Sequence, residues 1–138
     1  MITIKKQEIV KLEDVLHLYQ AVGWTNYTHQ PEMLEQALSH SLVIYVALDG
    51  DAVVGLIRLI GDGFSSVFVQ DLIVLPSYQR QGIGRSLMKE ALEDYKDAYQ
   101  VQLVTEQTEK NVGFYRSMGF ETLSTYDCTG MIWVNIEK

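Results

Sequence analysis

Arg80, Gly82, Gly84 and Arg85 fall within one short stretch of the chain and together have the means to hold a pyrophosphate. The stretch reads Asp71-Leu-Ile-Val-Leu-Pro-Ser-Tyr-Gln-Arg-Gln-Gly-Ile-Gly-Arg-Ser-Leu-Met88. An apolar strand ends at Leu75, because Pro76 lacks the N–H that its ladder would need. Glycines at 82 and 84 let the backbone approach a ligand and turn its N–H groups outward. A helix starts there, adding its unpaired N–H groups and the positive end of its dipole. Arg80 and Arg85 supply formal charge. A second constellation is aromatic: Trp24 and Tyr27 lie in the loop Trp24-Thr-Asn-Tyr-Thr-His-Gln30. Aromatic faces attract alkylammonium groups, with cation–π contacts worth ~0.5–2 kcal/mol. Capping a sheet edge is an equally good use of such rings.

Other reactive side chains point nowhere specific. One cysteine, Cys128, excludes an internal disulfide and a multi-thiolate metal site. Its neighbours Asp127 and Thr129 provide neither a base nor a positive setting to activate it. His17, His29 and His40 lack the i, i+4 spacing of a helical zinc site, and no metal is expected.

The identity of the pyrophosphate follows by comparing patterns. A Rossmann fingerprint needs a third glycine where this chain has Leu87, and a P-loop needs a Lys-Ser/Thr pair that does not stand here. What remains, Gln79-x-x-Gly82-x-Gly84, resembles the Q/R-x-x-G-x-G/A signature of the GNAT superfamily of N-acetyltransferases. Further on, Asn111-Val-Gly-Phe-Tyr-Arg-Ser-Met-Gly-Phe120 looks like that family's FYxxxGF segment. The order of elements is similar over nearly the whole chain.

The resemblance implies a role for each matching residue. Acetyl-CoA is the implied cosubstrate. In the family the fourth and fifth strands splay, and the pantetheine arm pairs with the exposed backbone of the fourth, here Leu72, Ile73 and Val74. Gln79, Arg80, Gln81, Gly82, Ile83, Gly84, Arg85 and Ser86 correspond to the pyrophosphate loop and helix start. Tyr115 matches the tyrosine that protonates the departing CoA thiolate, a role that suits a phenol beside a developing sulfur anion. The family often carries an asparagine seven residues before that tyrosine, where this chain has Thr108. Asn111, one turn from Tyr115, is the substitute cofactor contact. For the general base, Asp71 is the one ionisable residue in Val67-Phe-Val-Gln-Asp71. Tying down backbone is its other reading, and a water chain is the alternative base.

These matches imply direct acetyl transfer from acetyl-CoA to a small-molecule amine in a ternary complex. An acyl-CoA-binding sensor without turnover, a transferase acting on a protein or peptide amine, and a nucleotide-binding module are the competing readings. The net charge of −7 argues against a nucleic-acid partner and favours a cationic acceptor such as a polyamine or arylalkylamine. No apolar run reaches the ~20 residues of a membrane span, and Met1-Ile-Thr-Ile-Lys-Lys lacks a signal-peptide layout. The expectation is a cytosolic protein. The resemblance leaves a homodimer open.

The elements that must position these residues are legible from period and punctuation. Apolar residues make up 47% and charged residues 21%, an ordinary globular balance, and no linker or repeat divides the chain, so one domain is expected over residues 1–138. Residues 2–9 form a first strand. Leu12, Val15, Leu16, Tyr19 and Val22 mark a helix that Gly23 ends. Pro31 opens a second helix with Met33, Leu34, Ala37 and Leu38 inward. Leu42–Leu48 and Ala52–Ile60 form a hairpin across Asp49-Gly50-Asp51. Ser66–Leu75 is a long strand, and Leu87, Met88, Ala91, Leu92 and Tyr95 mark a third helix. Gln100–Val104 is a strand, Thr108 caps a fourth helix that Gly119 ends, and Met131–Ile136 closes the chain as a strand. The fold class is α/β, with a GNAT-like central mixed sheet of about six to seven strands and about four helices on both faces.

Overall fold

Two runs rich in β-branched residues form the hairpin at the centre of the sheet: β2 (Val43–Asp49) and β3 (Ala52–Gly61), antiparallel and joined through Gly50, whose φ of 61° suits glycine. The computed structural model describes residues Met1–Asn135, in two compact units: Met1–Val104, and the segment from Thr105 onward.

In the first unit, β1 (Ile2–Gln7) pairs antiparallel with β2, and β4 (Ser66–Val74) antiparallel with β3. β5 (Gln100–Leu103) runs parallel to β4, giving a five-stranded mixed sheet in the order β1-β2-β3-β4-β5. Successive side chains alternate between the two faces. Ile44, Val46, Leu56 and Ile73 face one way and join a core with Leu18 and Tyr19 of α1 (Leu12–Ala21) and Leu34 and Leu38 of α3 (Pro31–Ser39). Each such side chain contributes about 1.5–3 kcal/mol by leaving water.

The opposite face carries α4 (Ile83–Asp94), whose Leu87, Met88 and Ala91 are buried. Gly55 makes the close packing possible there. A Cβ at that position would stand 3.1 Å from the Ile73 carbonyl oxygen and 3.3 Å from Leu87 Cδ1. Tyr45 reaches from this face to donate a hydrogen bond to Asp94 of α4. Helices therefore cover both faces. No helix among the described residues is long and apolar enough to cross a membrane.

The second unit is built on α5 (Glu109–Ser117). Thr108 caps it, its Oγ1 accepting from the Asn111 N–H at 3.1 Å. Gly119, at φ 99°, ends it: its N–H reaches the Arg116 carbonyl, and the Phe120 N–H reaches that of Tyr115, each at 3.0 Å. This paired closure lays the Phe120 ring edge-on to Tyr115, 6.0 Å between centroids.

Three sequence expectations change. Among the described residues the sheet has five strands rather than six or seven. After α5 the chain forms a 3₁₀ turn, Leu123–Tyr126, where the Thr122 hydroxyl bonds those of Ser124 and Thr125 and so favours a local turn of the backbone. Met131–Asn135 form no strand, and Ile136 lies outside the described residues. The loop after α1 is helical for one turn, α2 (Thr25–Thr28), which makes five α-helices rather than four among the described residues.

Candidate functional site

The loop between β4 and α4 is held in shape by its own side chains. Pro76–Tyr78 make a 3₁₀ turn, and the Tyr78 hydroxyl donates to Asp49 Oδ2 at 2.6 Å, tying the loop to the β2–β3 hairpin. Gln79 donates from Nε2 to the Val74 carbonyl at 3.1 Å, bracing the loop against the end of β4. The glutamine of the motif is thus a strut within the chain. Arg80 and Gly82 then both take left-handed backbone, at φ 66° and 79°. For glycine this costs little. For arginine it costs roughly 1–2 kcal/mol, and strain of this kind gathers at ligand sites.

Gly82 is the N-cap of α4 and offers no side chain to satisfy the first turn, where Ile83 and Gly84 have no intrahelical acceptor. The Ser86 hydroxyl donates back to the Gly82 carbonyl at 3.0 Å. Ile83 is buried and anchors the helix start, while Arg80, Gln81, Gly82 and Ser86 are exposed and Gly84 and Arg85 half-buried. A curved backbone with outward N–H groups, a dipole end and arginines suits a pyrophosphate.

The strand leading into this loop is open along one edge. β5 pairs only with Ser66–Val69, so no described strand pairs with Leu72, Ile73 and Val74 on that side. On the other side the same residues pair with Ile57, Leu56 and Gly55. An extended ligand carrying amides could therefore add to the open edge as a strand would.

Asp71 occupies a different kind of place. It is 2% exposed, and its carboxylate accepts from Arg58 Nε at 2.7 Å, from the Tyr19 hydroxyl at 2.8 Å and from the Tyr27 hydroxyl at 2.9 Å. Arg58, 4% exposed, reaches on to Tyr27 Oη at 3.2 Å, Ser41 Oγ at 3.2 Å and the Ala37 carbonyl at 3.4 Å. One charge pair thus ties α1, α2 and α3 to the middle of the sheet. Burial would lower the Arg58 pKa, but the Asp71 charge and hydrogen bond more than offset it. Burial raises both phenols, and the Asp71 charge adds to it. A carboxylate held this way by one cation and two phenols is not placed to collect a proton from an incoming amine. The general-base expectation for Asp71 gives way to its structural reading.

The aromatic loop also reads differently in three dimensions. Tyr27 is buried, its ring edge-on to Tyr19 with centroids 5.1 Å apart, and the Arg58 guanidinium carbon lies 6.0 Å from its centroid. The protein's own cation already stands over that ring, so Tyr27 is not a cation–π surface for a ligand. Trp24 is half-buried, packed against the same core with its ring 6.1 Å from Tyr19, and it keeps part of its surface in solvent.

Tyr115 and Asn111 lie in the second unit, four residues apart on α5, and both are half-buried. The Tyr115 ring is gripped edge-on by Phe114 and Phe120, at 5.0 and 6.0 Å. Burial raises its phenol above the ordinary value, so the hydroxyl keeps its proton at neutral pH. Among the described residues, no group of three or more His, Cys, Asp or Glu side chains could hold a metal.

Reading by motif passed over Arg58, Tyr19 and the Tyr78–Asp49 tie. A signal existed for Arg58: it is the one charge in the apolar run Ala52–Ile60, and such a residue needs a buried partner.

The family model described as an acetyltransferase (GNAT) domain matches residues 6–137. The chain is 88% identical to the GNAT family acetyltransferase SP0256 from Streptococcus pneumoniae TIGR4, with a TM-score of 0.91 and 98% of each chain covered. It is 33% identical to serotonin N-acetyltransferase 2, chloroplastic, of Oryza sativa subsp. japonica, over 66% of this chain and 48% of that protein. The chain therefore spans about half the length of that curated relative. Its fold is also that of the PaiA N-acetyltransferase of Thermoplasma acidophilum in complex with coenzyme A, at 20% identity, a TM-score of 0.66, and 86% and 90% of the two chains covered.

Proposed function

Since the chain belongs to the GNAT acetyltransferase family, we propose that it transfers an acetyl group from acetyl-CoA to the amine of a small molecule, by direct attack in a ternary complex. The observation that carries this reading is the uncapped start of α4 behind two left-handed residues, Arg80 and Gly82. That backbone would hold the pyrophosphate, with Gln79 bracing it and Arg80 and Arg85 adding charge. The open edge at Leu72, Ile73 and Val74 would take the amide groups of the pantetheine arm. Acetyl-CoA, when bound, supplies an acyl group already activated as a thioester.

This chain's own residues would do the rest. Tyr115, kept protonated by its surroundings, donates to the departing thiolate sulfur. Asn111, one turn away, is the accompanying cofactor contact. The amine nitrogen must shed a proton before it attacks, since a primary amine is mostly charged at neutral pH. With Asp71 locked to Arg58, we assign that step to water.

For the acceptor we propose a cationic or arylalkyl amine. The net charge of −7 and the part-exposed face of Trp24 support this, as does similarity to a relative named for serotonin N-acetylation. We propose the cytosol as its compartment, where the single exposed cysteine would stay reduced; cell fractionation tests this. Incubation with acetyl-CoA and a panel of polyamines, arylalkylamines, aminoglycosides, amino acids and peptides, followed by titration of free CoA thiol, tests the activity. Tight acetyl-CoA binding with no thiol released for any amine would make the protein a binding module instead.

A further inference from the structure

Within Met1–Val104, Arg80 is the one residue other than glycine with left-handed backbone. It stands with Gln81 and Gly82 in an exposed segment, and among the described residues none of these three N–H groups bonds to another part of the backbone. Such a conformation persists only where its surroundings over-determine it. The segment has nothing of its own to do so, and the hold must come from its two ends. Downstream, the buried side chain of Ile83 fixes the start of α4. Upstream, two side chains act as struts, Tyr78 and Gln79.

The two struts are not equivalent. Gln79 bonds the Val74 carbonyl, five residues back, in the strand that the loop has just left. Tyr78 reaches 29 residues away, to the carboxylate of Asp49. Asp49 is the last residue of β2 and is held between Ile2 of β1 and Ala52 of β3. The Tyr78 hydroxyl is therefore what ties this loop to a part of the sheet other than its own strand. At 2.6 Å the bond has the length expected of a hydroxyl donating to a carboxylate, the stronger kind of hydrogen bond. Tyr78 is half-buried and the Asp49 side chain is 40% exposed, so either can be changed without opening the core.

We infer that the Tyr78–Asp49 bond sets the affinity for acetyl-CoA, by holding the loop in its binding shape before the cofactor arrives. This rests on the reading of Arg80–Ser86 as the pyrophosphate site. Without the bond, Arg80 and Gly82 are released to other conformations, and the cofactor must order them as it binds. That ordering cost falls on affinity and leaves the chemical step alone. Tyr78 and Asp49 are positioning residues: both act through the loop backbone.

The test is calorimetric titration of acetyl-CoA into four variants. Tyr78→Phe and Asp49→Ala should each weaken binding about five- to twentyfold, as suits the loss of one partly exposed hydrogen bond to a charged group. The double variant should bind no worse than either single one, because both remove the same bond. Asp49→Asn keeps an oxygen that can accept from the phenol and should bind within about twofold of wild type. In Tyr78→Phe, kcat at saturating acetyl-CoA and the melt should stay near wild type, while amide hydrogen exchange at residues 80–83 in the free protein quickens. Native affinity in Tyr78→Phe, losses that add in the double variant, or an Asp49→Asn as weak as Asp49→Ala would overturn this inference alone. A wild-type chain that binds no acetyl-CoA would overturn the pyrophosphate site and this inference with it.

Discussion

Arg58 and Asp71 face each other directly across the β3–β4 ladder, Nε to Oδ2 at 2.7 Å, with both side chains buried. A pair so placed is expensive to break, because the survivor is a buried charge without a partner, at about 3–5 kcal/mol. The same carboxylate also holds Tyr19 and Tyr27, so its loss would loosen α1 and α2 from the sheet.

Asp71→Asn should therefore act on stability. The thermal midpoint is expected to fall by on the order of 10 °C for a loss of this size. Turnover per folded molecule, measured by CoA release well below the new midpoint, should stay within about threefold of wild type, with its pH profile unmoved. A general base would show the reverse: an undisturbed melt and a loss of roughly 10²–10⁴-fold.

Gly84→Glu places a side chain and a negative charge at the start of α4, beside the proposed phosphate cradle. Calorimetric binding of acetyl-CoA should weaken by at least about a hundredfold, for a loss of ~2.7 kcal/mol or more. The melt should remain cooperative. A folded variant with native affinity would move the pyrophosphate elsewhere.

Tyr115→Phe keeps the ring and the edge-on contacts to Phe114 and Phe120 and removes the proton donor. Turnover should drop by about tenfold or more, while acetyl-CoA affinity hardly changes. The sign of the pH effect follows from the raised phenol. The donor form persists past the ordinary phenol value of about 10, so wild-type kcat should show no alkaline fall below it. An alkaline limb near pH 8 that persists in the variant would assign the acid to another group.

Trp24→Ala removes the part-exposed ring of the aromatic loop. The expected outcome is a KM for the best amine raised about five- to thirtyfold, matching a cation–π contact of ~1–2 kcal/mol, with acetyl-CoA binding unaffected. A shift in the melt alone would return Trp24 to the role of core cap.

How much of this could be read from the residues differs by region. The hairpin at Asp49-Gly50-Asp51, the Thr108 cap, the Gly119 stop and the strand–loop–helix at Leu72–Ser86 are local, set by turn chemistry and period, and they stand where the pattern puts them. The Arg58–Asp71–Tyr19–Tyr27 cluster spans |i−j| separations of 13 to 52. No local signal brings those four together, and so Asp71 and Tyr27 look reactive in the sequence and prove structural in space. Met131–Asn135 form no strand for a related reason. Strand propensity describes what a segment can do beside an edge, and the edge is not in the local sequence.

The most direct test of the account is release of CoA thiol from acetyl-CoA by the purified chain, with each amine of the panel and with none. Acetyl transfer predicts release that depends on an amine, saturates with it, and yields one N-acetylated product per thiol by mass spectrometry. Thiol release that ignores every amine, or none at all from a chain that binds acetyl-CoA, would contradict it.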